Sequence, residues 1–293
     1  MDTIQSQVGL FVSALVGRRE RTLQAYAQDV RGLAAWWEQE MGAGFDGGSL
    51  TSLDMHEYRK WSLDVERVRP ATWNRRLASL RVFCGWLRDE RVLRVDVLEG
   101  VSPADEVELP PRWLDKVETN RFERQVERCV NGAATAAARR RAVMDRGMVG
   151  LMLYAGLREG EVCGLEVGDV ELGERSGRVV IRDGKGGKRR VVPLSRKARS
   201  GLADWLVERG AGAGSLFSGV SERTVQRHVA EVGRLVGLSV TPHDLRHTFA
   251  KRMVDEGVTL TVVSKLLGHS RLETTTRYVQ PGWEDFEKAV EEV

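Results

Sequence analysis

The chain has 293 residues, 42% hydrophobic and 30% charged, with a formal net charge of +3. That balance suits folded domains with their own cores and excludes a disordered polar chain, and no run approaches the ~20 apolar residues of a membrane span. Cys84, Cys129 and Cys163 are scattered without paired spacing, which excludes a disulfide framework or thiolate zinc site and leaves them as small core residues.

In chain order, residues 1–20 lack a small-residue cleavage site, so a cytoplasmic location is expected. Helical spacing runs over 5–16 (Val8, Phe11, Val12, Leu15) and over 21–41 (Leu23, Tyr26, Val30, Leu33, Trp37). Glycines at 42–48 break the second helix; a third starts at Thr51 or Ser52, and a fourth follows Pro70 with Trp73, Leu77, Leu80, Phe83 and Leu87. The prolines and polar residues of 99–112 predict a linker. Beyond it, helices are predicted at 115–129 and 136–155, a β-hairpin around GKGGKRRVVPL, and further helices at 196–209, 221–236, 243–256, 260–267 and 272–278, with a last one in the tail. The expected fold is therefore mostly α. A four-helix bundle occupies 1–98, and a mainly helical domain with a small antiparallel β-sheet occupies 113–293.

Arginine clusters at 18/19/21, 67/69, 75/76 and 139–141 permit nucleic acid without requiring it, since such runs are also ordinary solvated faces. The chemistry concentrates in five segments of the second domain. YAGLREGEV holds Arg158 and Glu161; GKGGKRRVVPL holds Lys185, with Lys188 as a rival; TPHDLRHTFA holds His243 and Arg246 one helical turn apart; LLGHS holds His269; and TTTRYVQ holds Tyr278. Two arginines can fork onto the nonbridging oxygens of one phosphodiester and stabilise the charge that grows there during attack. A tyrosine phenol is a weak nucleophile at its usual pKa of ~10, but cations and a histidine beside it make the phenolate accessible. Lys185 is a sensible acid for a departing 5′-oxygen. No acidic cluster is placed to hold magnesium, so neither a metal nor any other cofactor is expected. An aryl phosphate ester conserves bond energy, so a second hydroxyl can reverse the step without ATP.

These motifs, in this order, resemble those of the tyrosine recombinases, also called phage-type integrases. TLQAYAQDVRGLAAWW and TWNRRLASLRVFCGWL are similar to that family's helical core-binding domain, so the resemblance spans nearly the whole chain. One departure is that Glu-Gly follows Arg158, where many relatives carry a small or apolar residue and then serine. The resemblance implies a site of Arg158, Lys185, His243, Arg246 and His269 around the nucleophile Tyr278, with Glu161 at the acidic orienting position. It implies a 3′-phosphotyrosine intermediate on double-stranded DNA, exchange within a DNA-bound tetramer, and a C-terminal helix that docks on a neighbouring subunit.

Each residue has a plainer reading. Arg158 could be a salt-bridged residue at a helix start, Lys185 a solvated turn lysine, His243 a helix cap, His269 a helix-end cap and Tyr278 core; His247 and Tyr154 are expected to be structural. Alternatives for the whole chain are a type IB topoisomerase-like strand swivel, a DNA-binding relative that does not cut, and an unrelated helical scaffold. On the recombinase reading the bundle would meet DNA phosphates through arginines such as Arg75 and Arg76, and the catalytic domain through the 139–141 run, with Asn74 and Arg75 as candidate base readers.

Overall fold

The computed structural model describes residues 4–18, 20–106, 111–182, 189–268, 273–276 and 291. The chain divides into two compact units, 1–108 and 109–293. Among the described residues no helix is long and apolar enough to cross a membrane.

The first unit is built from α1 (Ile4–Ala14), α2 (Glu20–Met41), α3 (Ser52–Lys60) and α4 (Pro70–Asp89). Thr51 caps α3 in a reciprocal pair with Asp54, and Pro70 opens α4, where its missing N–H and fixed φ are harmless. The helical stripes meet inside: Phe11, Val30, Leu33, Tyr58, Trp73, Leu77, Leu80 and Phe83 are sealed from solvent. Phe11 stands edge-on to Phe83 at 5.1 Å.

The packed layer does not end with the predicted bundle at residue 98. Val101 and Ala104 are buried against the unit. The Ser102 carbonyl accepts from Arg59 Nε at 3.0 Å and from Trp73 Nε1 at 3.4 Å. A polar, proline-bearing composition conceals these two apolar anchors. The residues expected to meet DNA are also engaged locally. Arg75 forks onto Asp29, with Nη2–Oδ1 at 2.8 Å, and Arg76 forks onto Glu66 at 2.6 and 2.8 Å. The Asn74 side chain is occupied by the backbone of Ala104.

The second unit contains α5 (Lys116–Asn131), α6 (Ala136–Ala155), α7 (Glu159–Cys163), β1 (Val170–Leu172), β2 (Gly177–Ile181), β3 (Arg190–Pro193), α8 (Arg196–Arg209), α9 (Glu222–Leu235), α10 (Pro242–Asp255) and α11 (Leu260–Leu267). A single turn, α12 (Glu273–Thr276), follows. From Gly147 onward α6 is apolar all round because it is the central element, with Met148, Leu151, Met152 and Leu153 buried. The sheet is antiparallel in the order β1-β2-β3, with Val179 opposite Val192 and Ile181 opposite Arg190. The predicted hairpin is β2–β3; β1 was too short for its alternation to register. The basic run on α6 is exposed, but two of its arginines bond within their own unit. Arg140 donates to the Glu208 carbonyl at 2.5 Å and lies over the Trp205 ring, while Arg141 pairs with Glu231.

Candidate active site

Four helix ends converge to make the site. The helix α6 stops at Gly156, which adopts φ +66; a Cβ there would lie 2.4 Å from Phe249 Cδ1, so the position requires glycine on two counts. The turn delivers Arg158 as the extended residue that opens α7, and Glu161 one turn later reaches back to it. The Glu161 carboxylate accepts from the Arg158 backbone N–H at 2.8 Å and from Arg158 Nη1 at 2.9 Å. Helix α10 is started by a Thr241–Asp244 capping box with Pro242 in its first turn. That start sets His243 and Arg246 one turn apart.

Arg246 is almost wholly buried, its side chain 3% exposed. Its Nη1 donates to the Gly156 carbonyl at 2.6 Å and its Nη2 to the Leu267 carbonyl at 2.7 Å. Those carbonyls terminate α6 and α11, where unpaired C=O groups and the dipole's negative end favour a cation. Arg246 also lies 3.8 Å from Glu161 Oε2.

A third guanidinium, Arg190 of β3, completes the cluster. Its Nη1 and Nη2 meet the two Glu161 oxygens at 2.8 Å each, and its Nε donates to the Leu266 carbonyl at 2.9 Å. Sequence reasoning passed over it, although the signal was present. Strand alternation puts Arg190 on the same face as Val192 and Leu194, both buried, and an arginine on a core face demands a partner.

One carboxylate thus serves three arginines. Burial raises the Glu161 pKa, but the bonds and charge of Arg190, the Arg158 N–H and the charge of Arg246 outweigh it and bring the value down to about 2. The His243 imidazole is held below its usual range, first by loss of surrounding water on its protein side and then by the positive charges of Arg246 and Arg158. His247 stands edge-on to His243 at 5.0 Å. Gly268, at φ +65, ends α11; a Cβ there would strike Arg190 Nη1 at 2.9 Å.

Of the predicted site residues, Arg158, Glu161 and Arg246 are therefore brought together, with His243 in the same field of charge. Lys185, His269, Tyr278 and the tail helix lie outside the described residues, as does the rival Lys188. Tyr154, expected to be structural, is half-buried; its hydroxyl donates to Glu123 and accepts from Lys197 Nζ at 3.1 Å. Burial and the Glu123 carboxylate push its phenol above the ordinary range, the reverse of what a nucleophile needs. Among the described residues no group of three or more His, Cys, Asp or Glu side chains is arranged to hold a metal ion.

Residues 122–283 match the phage integrase family, and residues 10–91 match the phage integrase N-terminal SAM-like domain. The chain is 32% identical to a tyrosine recombinase XerC of Chromohalobacter salexigens, with 99% of this chain and 95% of that protein covered. It is 31% identical to a tyrosine recombinase XerC of Corynebacterium efficiens, with 92% and 83% covered. In fold it is similar to the XerH site-specific recombinase bound to difH substrate in a pre-cleavage complex, with TM-score 0.72, 19% identity and 98% and 84% of the two chains covered. It is also similar to a lambda integrase dimer bound to a COC′ core site, with TM-score 0.69, 15% identity and 94% of each chain covered.

Proposed function

The chain belongs to the phage integrase family of tyrosine recombinases, and from that premise we propose that it cuts and rejoins DNA strands at specific sites with Tyr278 as nucleophile. The Tyr278 phenolic oxygen attacks the scissile phosphorus and forms a 3′-phosphotyrosine bond. The 5′-oxygen of the cut strand leaves, taking a proton from Lys185. A 5′-hydroxyl from the partner strand then attacks the same phosphorus and expels the tyrosine. One phosphodiester is exchanged for another, so no nucleotide is consumed.

Arg158 and Arg246 clamp the nonbridging oxygens and answer the charge that develops on them, which is the work a metal would otherwise do. His243 and His269 flank the phosphate, a neutral imidazole being able to take the tyrosine proton. The first unit, 1–108, serves as the DNA-binding domain, and the second, 109–293, as the catalytic domain. The chain works in the cytoplasm as a tetramer on two DNA sites, with the C-terminal helix exchanged between subunits.

The single observation that supports this most is the Glu161-centred cluster. A buried Arg246 and a partly buried Arg158, both held in place around one carboxylate, are what a preorganised phosphate clamp requires. The test is covalent trapping without added metal. Nicked duplexes drawn from a genomic library are mixed with the chain or with Tyr278→Phe, and peptide mass spectrometry looks for a nucleotide on tyrosine. The expected result is an adduct on Tyr278 in the wild type and none in the variant, with the trapped DNA sequenced to give the site. An adduct on another tyrosine, or none at all, overturns the reading.

A further inference from the structure

Arg190 takes no part in the scheme above, yet its guanidinium is fully committed within the cluster. Its Nε, Nη1 and Nη2 are all bonded within the protein, and its side chain is 11% exposed. We propose that Arg190 is a positioning residue of the phosphate clamp, acting through Glu161 to keep Arg158 and Arg246 aimed at the scissile phosphate. This rests on the reading of those two arginines as the clamp.

Two observations carry it. The first is how the Glu161 carboxylate is shared. Each of its oxygens accepts from Arg190 at 2.8 Å, and the same oxygens accept from Arg158 Nη1 and from the Arg158 N–H. Arg190 takes the fork position on this carboxylate, so Arg158 makes only a single side-chain bond to it. Without Arg190, Glu161 has only the clamp arginines near it, and a bidentate carboxylate competes directly with phosphate for the same fork. Arg190 also keeps the cluster at three guanidiniums against one carboxylate, so a net positive field remains for an incoming phosphodiester.

The second is where Arg190 is rooted. It stands on β3, while its acceptors belong to α7 and to the end of α11. The Gly268 backbone leaves room for it, since a Cβ at that position would lie 2.9 Å from Nη1 and 3.1 Å from Cδ of Arg190. The same terminus supplies the Leu267 carbonyl that holds Arg246. One side chain therefore fixes Glu161 relative to the helix end whose Leu267 carbonyl holds the second clamp arginine.

The experiment compares substrates that differ only in nonbridging charge. The site recovered by trapping on Tyr278 is rebuilt as a nicked duplex with either a normal phosphate or a neutral methylphosphonate at the scissile position. Single-turnover adduct formation is measured for the wild type, Arg158→Lys, Arg190→Lys and Arg190→Gln, alongside DNA affinity and thermal unfolding. Lysine keeps the charge but cannot span both Glu161 oxygens and the Leu266 carbonyl, and it serves as the test if the glutamine variant does not fold. The expected result is a loss on the order of 10²-fold on the phosphodiester for the Arg190 variants, as for other small misplacements of reacting groups. Their loss on the methylphosphonate should be much smaller, in parallel with Arg158→Lys, at unchanged DNA affinity. Equal slowing on both substrates, or wild-type rates, overturns the role of Arg190. If Arg158→Lys itself is equally slow on both substrates, the clamp reading fails; a wild type without adduct removes the chemistry altogether.

Discussion

Asn74 and Ala104 form a reciprocal pair: the Asn74 Oδ1 accepts from the Ala104 N–H at 2.7 Å, and its Nδ2 donates to the Ala104 carbonyl at 3.0 Å. A side-chain amide here imitates a strand partner for a single residue, satisfying both backbone groups of a buried position thirty residues away. The residue that looked like a base reader from its place near a helix start is thus part of what closes the first unit over Val101 and Ala104. Asn74→Ala should cost about 1–3 kcal/mol, because it leaves two backbone groups unsatisfied. Urea unfolding followed through the tryptophans of the first unit measures this, and selectivity for the recovered DNA site should be unchanged. Altered selectivity at full stability would return Asn74 to the role of reader.

Glu161 gives a pH-dependent prediction. Its folded pKa is brought from 4.5 down to about 2. A depressed carboxylate stabilises the fold in full above pH 4.5, and that contribution disappears as pH falls through the interval toward 2. The size is about 3 kcal/mol, since a tenfold change in proton affinity between the folded and unfolded chain is worth roughly 1.4 kcal/mol. Glu161→Gln should therefore be less stable than the wild type by about that amount at neutral pH. The gap between the two denaturation midpoints should close as the solution is acidified below pH 4.5. A gap independent of pH would show that Glu161 is not the ionised hub of the arginines.

Much of this site was legible in the sequence, and what was not has specific physical causes. Arg158 with Glu161, and His243 with Arg246, were readable because helical spacing and caps such as Thr241 fix neighbours locally. Arg190 was hidden because its partner lies 29 residues away, on an element joined to it only through the sheet. The arginines at 75, 76 and 141 looked like a nucleic-acid surface because a sequence displays charges without their partners. Asp29, Glu66 and Glu231 answer them in the fold. The packing of Val101 and Ala104 beyond residue 98 was hidden for a similar reason, since two small apolar residues inside a polar stretch carry no periodicity.

His243 should titrate below its ordinary value of 6.5, because burial and then the charges of Arg246 and Arg158 disfavour the imidazolium. Its ring-proton resonance, followed by NMR against pH, gives the midpoint directly. In Arg158→Gln one positive charge is removed and the midpoint should rise, though only in part, because burial is the larger cause. The functional counterpart is the acid limb of adduct formation, which should fall below pH 6.5 and leave the imidazole neutral and able to accept a proton at pH 7. A midpoint above 6.5 would mean that a carboxylate, not the arginines, governs this histidine.

Gly156 joins stability to chemistry at one position. Its left-handed conformation disfavours any other residue by about 1 kcal/mol or more, and a Cβ would meet Phe249 at 2.4 Å and Leu267 at 2.9 Å. Overpacking of that kind costs roughly 1–3 kcal/mol on its own. The consequence goes further, because the Gly156 carbonyl is the 2.6 Å acceptor for Arg246. Relief of the clash must move either the Phe249 side of α10, which carries Arg246, or the carbonyl itself. Gly156→Ala should therefore lower the unfolding midpoint of the second unit and slow adduct formation together. By contrast, Gly210→Ala, also at positive φ but with nothing within 4 Å of its Cβ, should affect stability alone. Calorimetry and single-turnover trapping on both variants separate the cases; full activity in Gly156→Ala would show that Arg246 does not depend on this helix end.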